Sequence, residues 1–234
     1  MRYRKEGKMG YNIAIDGPAG AGKSTVAKMV AEKKGYIYVD TGALYRGLAV
    51  HFIRNGIREE ETDKMIRACE SADISIVYES GVQQVYLNKE NITAMLRRED
   101  VGKMTSVSSA IPQIRKKLLN LQRQLARTKD VVMDGRDIGT AVLPEADVKI
   151  YLTANVKTRA MRRYQELKGK GIACILEEIE QDIRERDERD MNREVSPLKQ
   201  AEDAVYLDSS DMTTEQVVAE ILKLSLCAKE KIWK

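Results

Sequence analysis

The clearest chemical pattern in the sequence lies at residues 17–24, Gly-Pro-Ala-Gly-Ala-Gly-Lys-Ser, which fit the phosphate-binding loop G-x-x-x-x-G-K-[ST]. The three glycines allow backbone conformations that other residues avoid, so that successive N–H groups can surround a polyphosphate. In a loop of this kind Lys23 reaches the β- and γ-phosphates, and the hydroxyl of Ser24 coordinates Mg²⁺. The pattern therefore predicts a site for Mg·ATP.

The segments on either side of this loop supply the context that the motif needs. Residues 11–16 are a short apolar run that predicts a buried strand. Residues 25–34 place apolar side chains at helical spacing, and Gly35 is a typical stop signal. A glycine-rich turn without a ligand is the alternative, but strand, loop and helix in this order favour nucleotide binding.

A second predicted strand, residues 35–39, runs into Asp-Thr-Gly-Ala-Leu-Tyr-Arg at 40–46. Loops that follow strands at their carboxyl ends bind the ligands of α/β sheets. Two simpler explanations stay open. Asp40 or Thr41 would also suit the cap of the next helix, and Arg46 would face either solvent or an anion.

Residues 130–134 predict another core strand, which ends at Asp134, a position typical of the carboxylate that helps to hold Mg²⁺ or its waters. The following residues, 135–140, are Gly-Arg-Asp-Ile-Gly-Thr. A turn would explain the two glycines but not the charged pair Arg136 and Asp137. We therefore favour a functional role for this segment.

The C-terminal third is helical and rich in arginine. Arg159, Arg162 and Arg163 have the spacing of one helix face, and a basic glycine turn at 168–171 separates them from a second charged helix. A solvated face paired with nearby glutamates is the ordinary explanation of such helices. In a chain with a phosphate-binding loop, mobile cations that close over phosphates are the alternative that we favour.

Residues 57–105 differ from the rest. A charged helix is predicted at 57–72, and β-forming residues at 73–78 and 83–88 flank Ser80-Gly81, which predicts a hairpin. Such a hairpin does not extend a parallel sheet, so we expect a small inserted lobe. A long basic helix that enters through Pro112 follows it. Further strands are predicted at 148–152 and 204–208, and a closing helix at 213–226.

The composition fits an enzyme that handles anions. The chain has 234 residues, with 40 basic and 36 acidic residues and a net charge of +4. The single histidine, His51, argues against a histidine-based metal site or catalytic triad. Cys69, Cys174 and Cys227 have no metal-ligand spacing and predict reduced thiols in a cytoplasmic protein. We see no secretory signal or apolar membrane span, and we expect no nucleic acid or membrane partner.

These segments together resemble the bacterial-type cytidylate (CMP/dCMP) kinases, a group of nucleoside monophosphate kinases. The resemblance rests on residues 15–25, 40–46, 134–140 and 184–193, and it extends over about residues 11–224. The patterns D-[ST]-G-A-x-Y-R and D-G-R-D-x-G-T are far more specific than the phosphate-binding loop alone. The resemblance favours a monomer.

The resemblance implies an α/β fold: a three-layer P-loop core with a parallel sheet, a helical lid and a small inserted β-hairpin lobe. We expect the core at about residues 11–40, 106–155 and 200–224. We expect the monophosphate-binding region with its insert at about 41–105 and the lid at about 156–195. Residues 1–10 and 225–234 would be terminal extensions.

The resemblance also implies roles for individual residues. The ATP-binding residues would be Gly17, Pro18, Ala19, Gly20, Ala21, Gly22, Lys23, Ser24, Thr25 and Arg162, and the Mg²⁺ ligands Ser24 and Asp134. The cytosine end of the acceptor nucleotide would contact Thr41, Ser106, Arg115 and Asp137. Arg46 and Arg136 would hold the acceptor phosphate, while Arg186 and Asp190 would approach the sugar. The catalytic cations would be Lys23, Arg136, Arg186 and Arg193.

The expected reaction is transfer of the γ-phosphoryl group of ATP to CMP or dCMP. Cytosine offers an exocyclic amine to Asp137 and acceptor atoms to Arg115, whereas uracil would place a carbonyl against the carboxylate. Two other functions stay open. One is another small-molecule kinase with a phosphate-binding loop, acting on UMP, AMP or shikimate. The other is a nucleotide-dependent switch or a nucleic-acid-binding ATPase.

Overall fold

The computed structural model describes residues 10–232, and side chains as far as residue 228. Most of the predicted N-terminal extension, residues 1–9, lies outside the described residues. The chain divides into two compact units. The first contains the described residues up to Tyr38 and those from Lys129 onward, and the second is Val39–Thr128.

Eight strands and eight α-helices make up the described part of the chain. In chain order they are β1 (Asn12–Asp16), α1 (Lys23–Lys34), β2 (Ile37–Asp40), α2 (Thr41–Arg54), α3 (Thr62–Ser71), β3 (Ile74–Glu79), β4 (Val82–Leu87), β5 (Glu90–Asn91), α4 (Glu99–Ser108), α5 (Pro112–Thr128), β6 (Val131–Gly135), β7 (Val148–Thr153), α6 (Val156–Gly169), α7 (Leu176–Asn192), β8 (Val205–Asp208) and α8 (Thr214–Ile232). A 3₁₀ turn spans Thr93–Arg97, and a π-helical turn spans Ile138–Val142.

The first unit is built on a five-stranded sheet with the order β2-β6-β1-β7-β8. Strand β1 pairs in parallel with both β6 and β7, and β7 pairs in parallel with β8. All five residues of β1 are buried, which explains why its sequence is nearly continuous in apolar side chains. The predicted parallel sheet with flanking helices is confirmed.

Helices α1 and α8 pack on this sheet through one apolar cluster. Val26 and Val30 of α1 meet Val218 and Ile221 of α8 and the buried side chains of β1. Helix α1 ends where the sequence predicted, because Gly35 takes the left-handed conformation at φ 65° and its N–H bonds back to the last turn. Helices α6 and α7 pack on each other around Ala160, Ile179 and Ile183.

The second unit has its own core and its own sheet. Strands β3, β4 and β5 form an antiparallel sheet, and both Ser80 and Gly81 have positive φ in the tight turn between β3 and β4. The predicted hairpin is therefore confirmed, although the sequence analysis missed the short third strand. The core centres on the fully buried Phe52, Ile114 and Leu118.

Two expectations about residues 57–128 differ from the structure. The helix predicted at 57–72 begins only at Thr62, because Gly56 takes a left-handed turn and residues 57–61 lead into the helix as a loop. We also expected the core to resume at about residue 106, but α4 and α5 lie entirely in the second unit. The reason is that α5 directs Ile114 and Leu118 into that unit's apolar cluster.

Cys69, Cys174 and Cys227 are free thiols. Within residues 10–232, none of the helices is long and apolar enough to cross a membrane.

Candidate functional site

The loop between β1 and α1 has the backbone geometry of a phosphate cradle. Gly17 has φ 148°, and a Cβ atom at this position would collide with the carbonyl oxygen of Leu152. Gly22 is left-handed at φ 83° and immediately precedes α1, whose N-terminus has no side-chain cap among the described residues. The first N–H groups of α1 therefore point into the loop together with the positive end of the helix dipole, an arrangement that binds anions.

Lys23 is held inside this loop. Its side chain is buried, and its Nζ donates to the carbonyl oxygen of Pro18 at 2.7 Å. Burial lowers the pKa of Lys23 well below its ordinary value; the nearby charge of Arg136 lowers it further, while Asp134 acts in the opposite direction. An anion placed in the loop would favour the charged form of this lysine.

Ser24 and Asp134 lie side by side, as the predicted Mg²⁺ ligands should. The Ser24 hydroxyl donates to Asp134 Oδ2 at 2.9 Å, and the Tyr38 hydroxyl donates to the other carboxylate oxygen at 2.8 Å. One hydroxyl and one carboxylate suit Mg²⁺, which binds few protein ligands and completes its shell with phosphates and water. Within residues 10–232, no group of three or more histidine, cysteine or acidic side chains is arranged to hold a metal ion.

Arginines and aspartates form a partly buried network of paired charges beyond the end of β6. Arg136 Nε donates to Asp190 Oδ2 of α7 at 2.8 Å. Arg193 lies with one terminal nitrogen 3.9 Å from Asp190 Oδ1 and the other 3.8 Å from Asp137 Oδ1. Arg186, half-buried on α7, adds a further positive charge near Asp190.

The pKa values within this network follow from the balance of burial and pairing. Burial is the largest influence on the pKa of Arg136 and would lower it, but the charge and hydrogen bond of Asp190, together with the charges of Asp134 and Asp187, raise the pKa overall. Burial is likewise the largest influence on the pKa of Asp190 and would raise it, but Arg136, Arg186 and Arg193 together lower the pKa. Both groups therefore stay charged, and the unit keeps fixed cations at the carboxyl end of its sheet.

Arg162 borders a cavity beside the phosphate loop, as expected for a residue that contacts ATP. Its guanidinium donates to the carbonyl oxygen of Ser209 at 2.7 Å and to the Ser209 hydroxyl at 3.2 Å. The cavity, about 270 Å³, lies in the first unit. Its lining includes Gly20, Gly22, Thr25, Arg162, Ser209 and Met212.

The second unit holds the other predicted acceptor residues. Asp40 caps α2 by accepting the N–H of Ala43 at 2.9 Å, so the capping alternative is confirmed for this residue. The same carboxylate binds Arg46 Nη2 at 2.9 Å. Arg46 is half-buried, and its pairing with Asp40 holds its guanidinium at the start of α2.

Thr41, Ser106 and Arg115 are also placed by the helices of the second unit. Arg115 of α5 is buried; it donates to the Ser109 carbonyl oxygen at 3.0 Å and lies 5.5 Å from the ring centre of Tyr45. Thr41 is buried at the start of α2, and Ser106 is half-buried on α4. These contacts orient Arg115 through backbone and aromatic partners.

Comparison with known proteins agrees with this geometry. The profile of the cytidylate kinase family matches residues 13–226. The chain belongs to the cytidylate kinase family. A curated relative of that name from Caldicellulosiruptor saccharolyticus is 46% identical over 213 residues, which is 91% of this chain and 94% of the relative. Another from Carboxydothermus hydrogenoformans is 45% identical over 212 residues, 91% and 96% of the two chains.

A solved structure of another kinase has a similar fold. A gluconokinase from Sinorhizobium meliloti 1021 aligns with 97% of this chain and 98% of its own, with a TM-score of 0.50 and 15% sequence identity. At that identity the likeness concerns the fold alone.

The sequence analysis grouped Arg159 with Arg162 and Arg163, and here it was wrong about their shared role. Arg159 forms a buried ion pair with Asp187 of α7 at 2.6 Å and donates to the carbonyl oxygen of Ala19 at 2.8 Å. Arg163 instead pairs with Glu166 on the surface at 2.8 Å. Neighbouring positions on α6 therefore divide into one buried arginine, Arg159, and two that border the cavity, Arg162 and Arg163.

Asp16, Tyr38 and Asp187 are site residues that the sequence analysis missed. Asp187 had a detectable signal, because it continues the buried stripe of Ile179 and Ile183 at a spacing of four residues. An acidic residue on an apolar stripe indicates a buried partner. Tyr38 and Asp16 lie at the ends of predicted strands, and nothing in their local spacing distinguishes them.

Proposed function

We propose that this chain transfers the γ-phosphoryl group of ATP to CMP or dCMP, giving ADP and CDP or dCDP. The observation that carries the proposal is the partly buried network of Arg136, Asp190, Arg193 and Asp137, in the same unit as the phosphate loop and Lys23. Fixed cations at this position suit the electrostatic demands of phosphoryl transfer. Membership of the cytidylate kinase family selects the acceptor.

The phosphate loop is the proposed donor site. The backbone N–H groups of residues 17–25 surround the phosphates of ATP, Lys23 neutralises charge on the β- and γ-phosphates, and Arg162 contacts the nucleotide from the adjoining cavity. Ser24 and Asp134 would hold Mg²⁺. When bound, the ion would reduce the negative charge that opposes attack at the phosphorus.

The first unit contributes Arg136, Arg186, Asp190 and Asp137 to acceptor binding in this proposal. Arg136 binds the phosphate, Arg186 and Asp190 the sugar, and Asp137 the exocyclic amine of cytosine. Supporting this, the Asp137 carboxylate is buried, and Arg193 Nη2 lies 3.8 Å from its Oδ1.

The second unit contributes Thr41, Arg46, Ser106 and Arg115. Arg115 donates to the acceptor atoms of cytosine, with Thr41 and Ser106 as hydroxyl partners, while Arg46 binds the acceptor phosphate. Arg46 donates to Asp40 through Nη2 alone, so the other N–H groups of its guanidinium remain for an anion.

The chemical step is an in-line displacement at the γ-phosphorus of ATP. An oxygen of the acceptor phosphate forms the new bond to phosphorus, the bond to the β–γ bridging oxygen breaks, and ADP leaves with that electron pair. The acceptor oxygen is already anionic, so no strong general base is needed. Lys23, Arg136, Arg186 and Arg193 act by position and charge.

ADP formation with Mg·ATP and each of CMP, dCMP, UMP and AMP tests the proposal. Against uracil, Asp137 would face a carbonyl, which costs roughly 1–3 kcal/mol and predicts about ten- to a hundredfold preference for CMP. Strong turnover on CMP and dCMP, weak turnover on UMP and none on AMP is the expected result. Turnover on AMP or UMP alone would overturn the base-recognition argument, and polymer-stimulated hydrolysis of ATP would favour a nucleic-acid-dependent ATPase.

We further propose that the enzyme acts as a monomer in the cytoplasm, in pyrimidine nucleotide metabolism. Each of its substrates is a small phosphorylated metabolite, and the proposed site residues all belong to one chain. Light scattering coupled to size-exclusion chromatography tests the oligomeric state directly.

A further inference from the structure

Asp16, the last residue of β1, is a buried carboxylate with no part in the proposed chemistry. Its two oxygens accept backbone N–H groups from Ile138 and Gly139, each at 2.7 Å. These two donors immediately follow Asp137 in the chain. A carboxylate on the central strand thus binds the segment that carries two proposed acceptor-binding residues.

The segment that Asp16 binds is the π-helical turn Ile138–Val142. The N–H groups of Ala141 and Val142 return to the carbonyl oxygen of Asp137 at 2.8 and 3.1 Å. The first N–H groups of a helical turn have no partners within it, and Asp16 supplies the acceptors for two of them. The backbone that follows Asp137 is therefore fixed both by its own turn and by Asp16.

Gly139 permits this close approach. A Cβ atom at this position would lie 3.3 Å from Asp16 Oδ2 and 3.2 Å from Cδ of Lys149. Both are closer than ordinary van der Waals contact, so a side chain would push the turn away from the carboxylate. The glycine and the aspartate thus form a matched pair.

A charged group at this place is costly for the fold. Burial raises the pKa of Asp16 to about 7, the two backbone N–H groups lower it, the charge of Asp137 raises it and Lys23 lowers it. The pKa of Tyr151, which pairs with Asp16 across β1 and β7, is raised chiefly by burial and, to a smaller extent, by the charge of Asp16 and of other neighbours. Because the folded chain holds the proton more tightly than the unfolded chain, ionised Asp16 opposes folding above about pH 7. A side chain retained for stability alone would not need this charge.

We propose that Asp16 is a positioning residue that sets the place of Asp137 and Arg136 and so determines selectivity for cytosine over uracil. The inference rests on the proposed function, in which Asp137 binds the exocyclic amine. Only a carboxylate offers two acceptor oxygens to the two adjacent N–H groups. Asparagine has one oxygen, and its amide N–H₂ would face the second N–H.

The test is Asp16→Asn, with Asp147→Asn as the matched control. Asp147 Oδ2 accepts the N–H of Asn12, the first residue of β1, at 2.7 Å. The control therefore removes a carboxylate that binds the opposite end of the strand that Asp16 closes. We expect Asp16→Asn to raise KM for CMP and to reduce the CMP-to-UMP ratio of kcat/KM, each by about tenfold or more. KM for ATP and the urea midpoint at pH 8 should stay near the parent values, and Asp147→Asn should keep the parent selectivity.

Two outcomes would overturn the inference. One is an Asp16→Asn enzyme with parental selectivity. The other is a parallel loss of ATP and CMP affinity with a lower urea midpoint, which would indicate a structural role. A parent enzyme that does not prefer CMP to UMP would instead contradict the proposed function, and the panel with the unaltered chain reveals this before any variant is made.

Discussion

The phosphate-loop end of the first unit and the hairpin lobe of the second, residues 57–105, handle charge in opposite ways. In the first, the Arg159 and Asp187 side chains are only 4% and 6% exposed. In the lobe, ion pairs such as Arg98–Asp100 are 53% and 45% exposed. The lobe keeps its charges in solvent, while the loop region removes them from it.

This difference indicates what each region is for. Exposed ion pairs contribute little, since solvent screens them and long side chains lose freedom on pairing. Buried pairs carry a desolvation penalty that often exceeds their attraction. A fold that retains Arg136–Asp190 and Arg159–Asp187 therefore gains something other than stability, and charges fixed in advance around a phosphate site are that gain.

The largest effect that should separate the two regions is expected from Lys23→Met. The variant removes the buried cation of the loop, and we expect kcat to fall by about a hundredfold to a thousandfold or more, because a fixed charge at the transferring phosphoryl group is lost. CMP binding, measured by calorimetry, should be largely intact. Lys33→Met, an exposed lysine near the end of the same helix, is the control and should keep parental turnover. Near-normal activity in Lys23→Met would contradict the role assigned to this lysine.

A smaller effect, on stability, is expected from Asp187→Ala. The variant leaves Arg159 buried without its carboxylate, and such changes cost roughly 3–5 kcal/mol in free energy of unfolding. The loop should also loosen, because Asp187 Oδ1 accepts the N–H of Ala19 at 3.3 Å and Arg159 binds the same residue's carbonyl oxygen. Urea denaturation measures the effect.

The control for Asp187→Ala is Glu180→Ala, which removes the half-buried partner of the exposed Arg184 on the same helix and should change the midpoint far less. Equal midpoint shifts for the two variants would mean that burial of the pair is unimportant.

The sequence predicted these regions unequally, for physical reasons. The phosphate loop, Asp134 and the β3–β4 hairpin depend on local backbone geometry and turn chemistry, which short motifs encode. The pairing of Arg159 with Asp187, and of Asp16 with the turn after Asp137, joins residues far apart in the chain. Spacing along a helix placed Arg159 with Arg162 and Arg163, but only tertiary packing decides which of the three is buried. The start of α3 and the extent of the second unit were missed for the same reason.

The smallest effect is expected in the lobe, from Glu90→Gln. Glu90 binds Arg54 through two N–H···O bonds of 2.7 Å, and this pairing lowers the pKa of the glutamate. Both side chains are exposed, so water replaces the lost contacts, and the urea midpoint at pH 7 should stay within measurement error of the parent. Turnover on CMP should also be unchanged. A midpoint shift comparable to that of Asp187→Ala would break the comparison, because it would show that bidentate geometry, rather than burial, decides what an ion pair contributes in this chain.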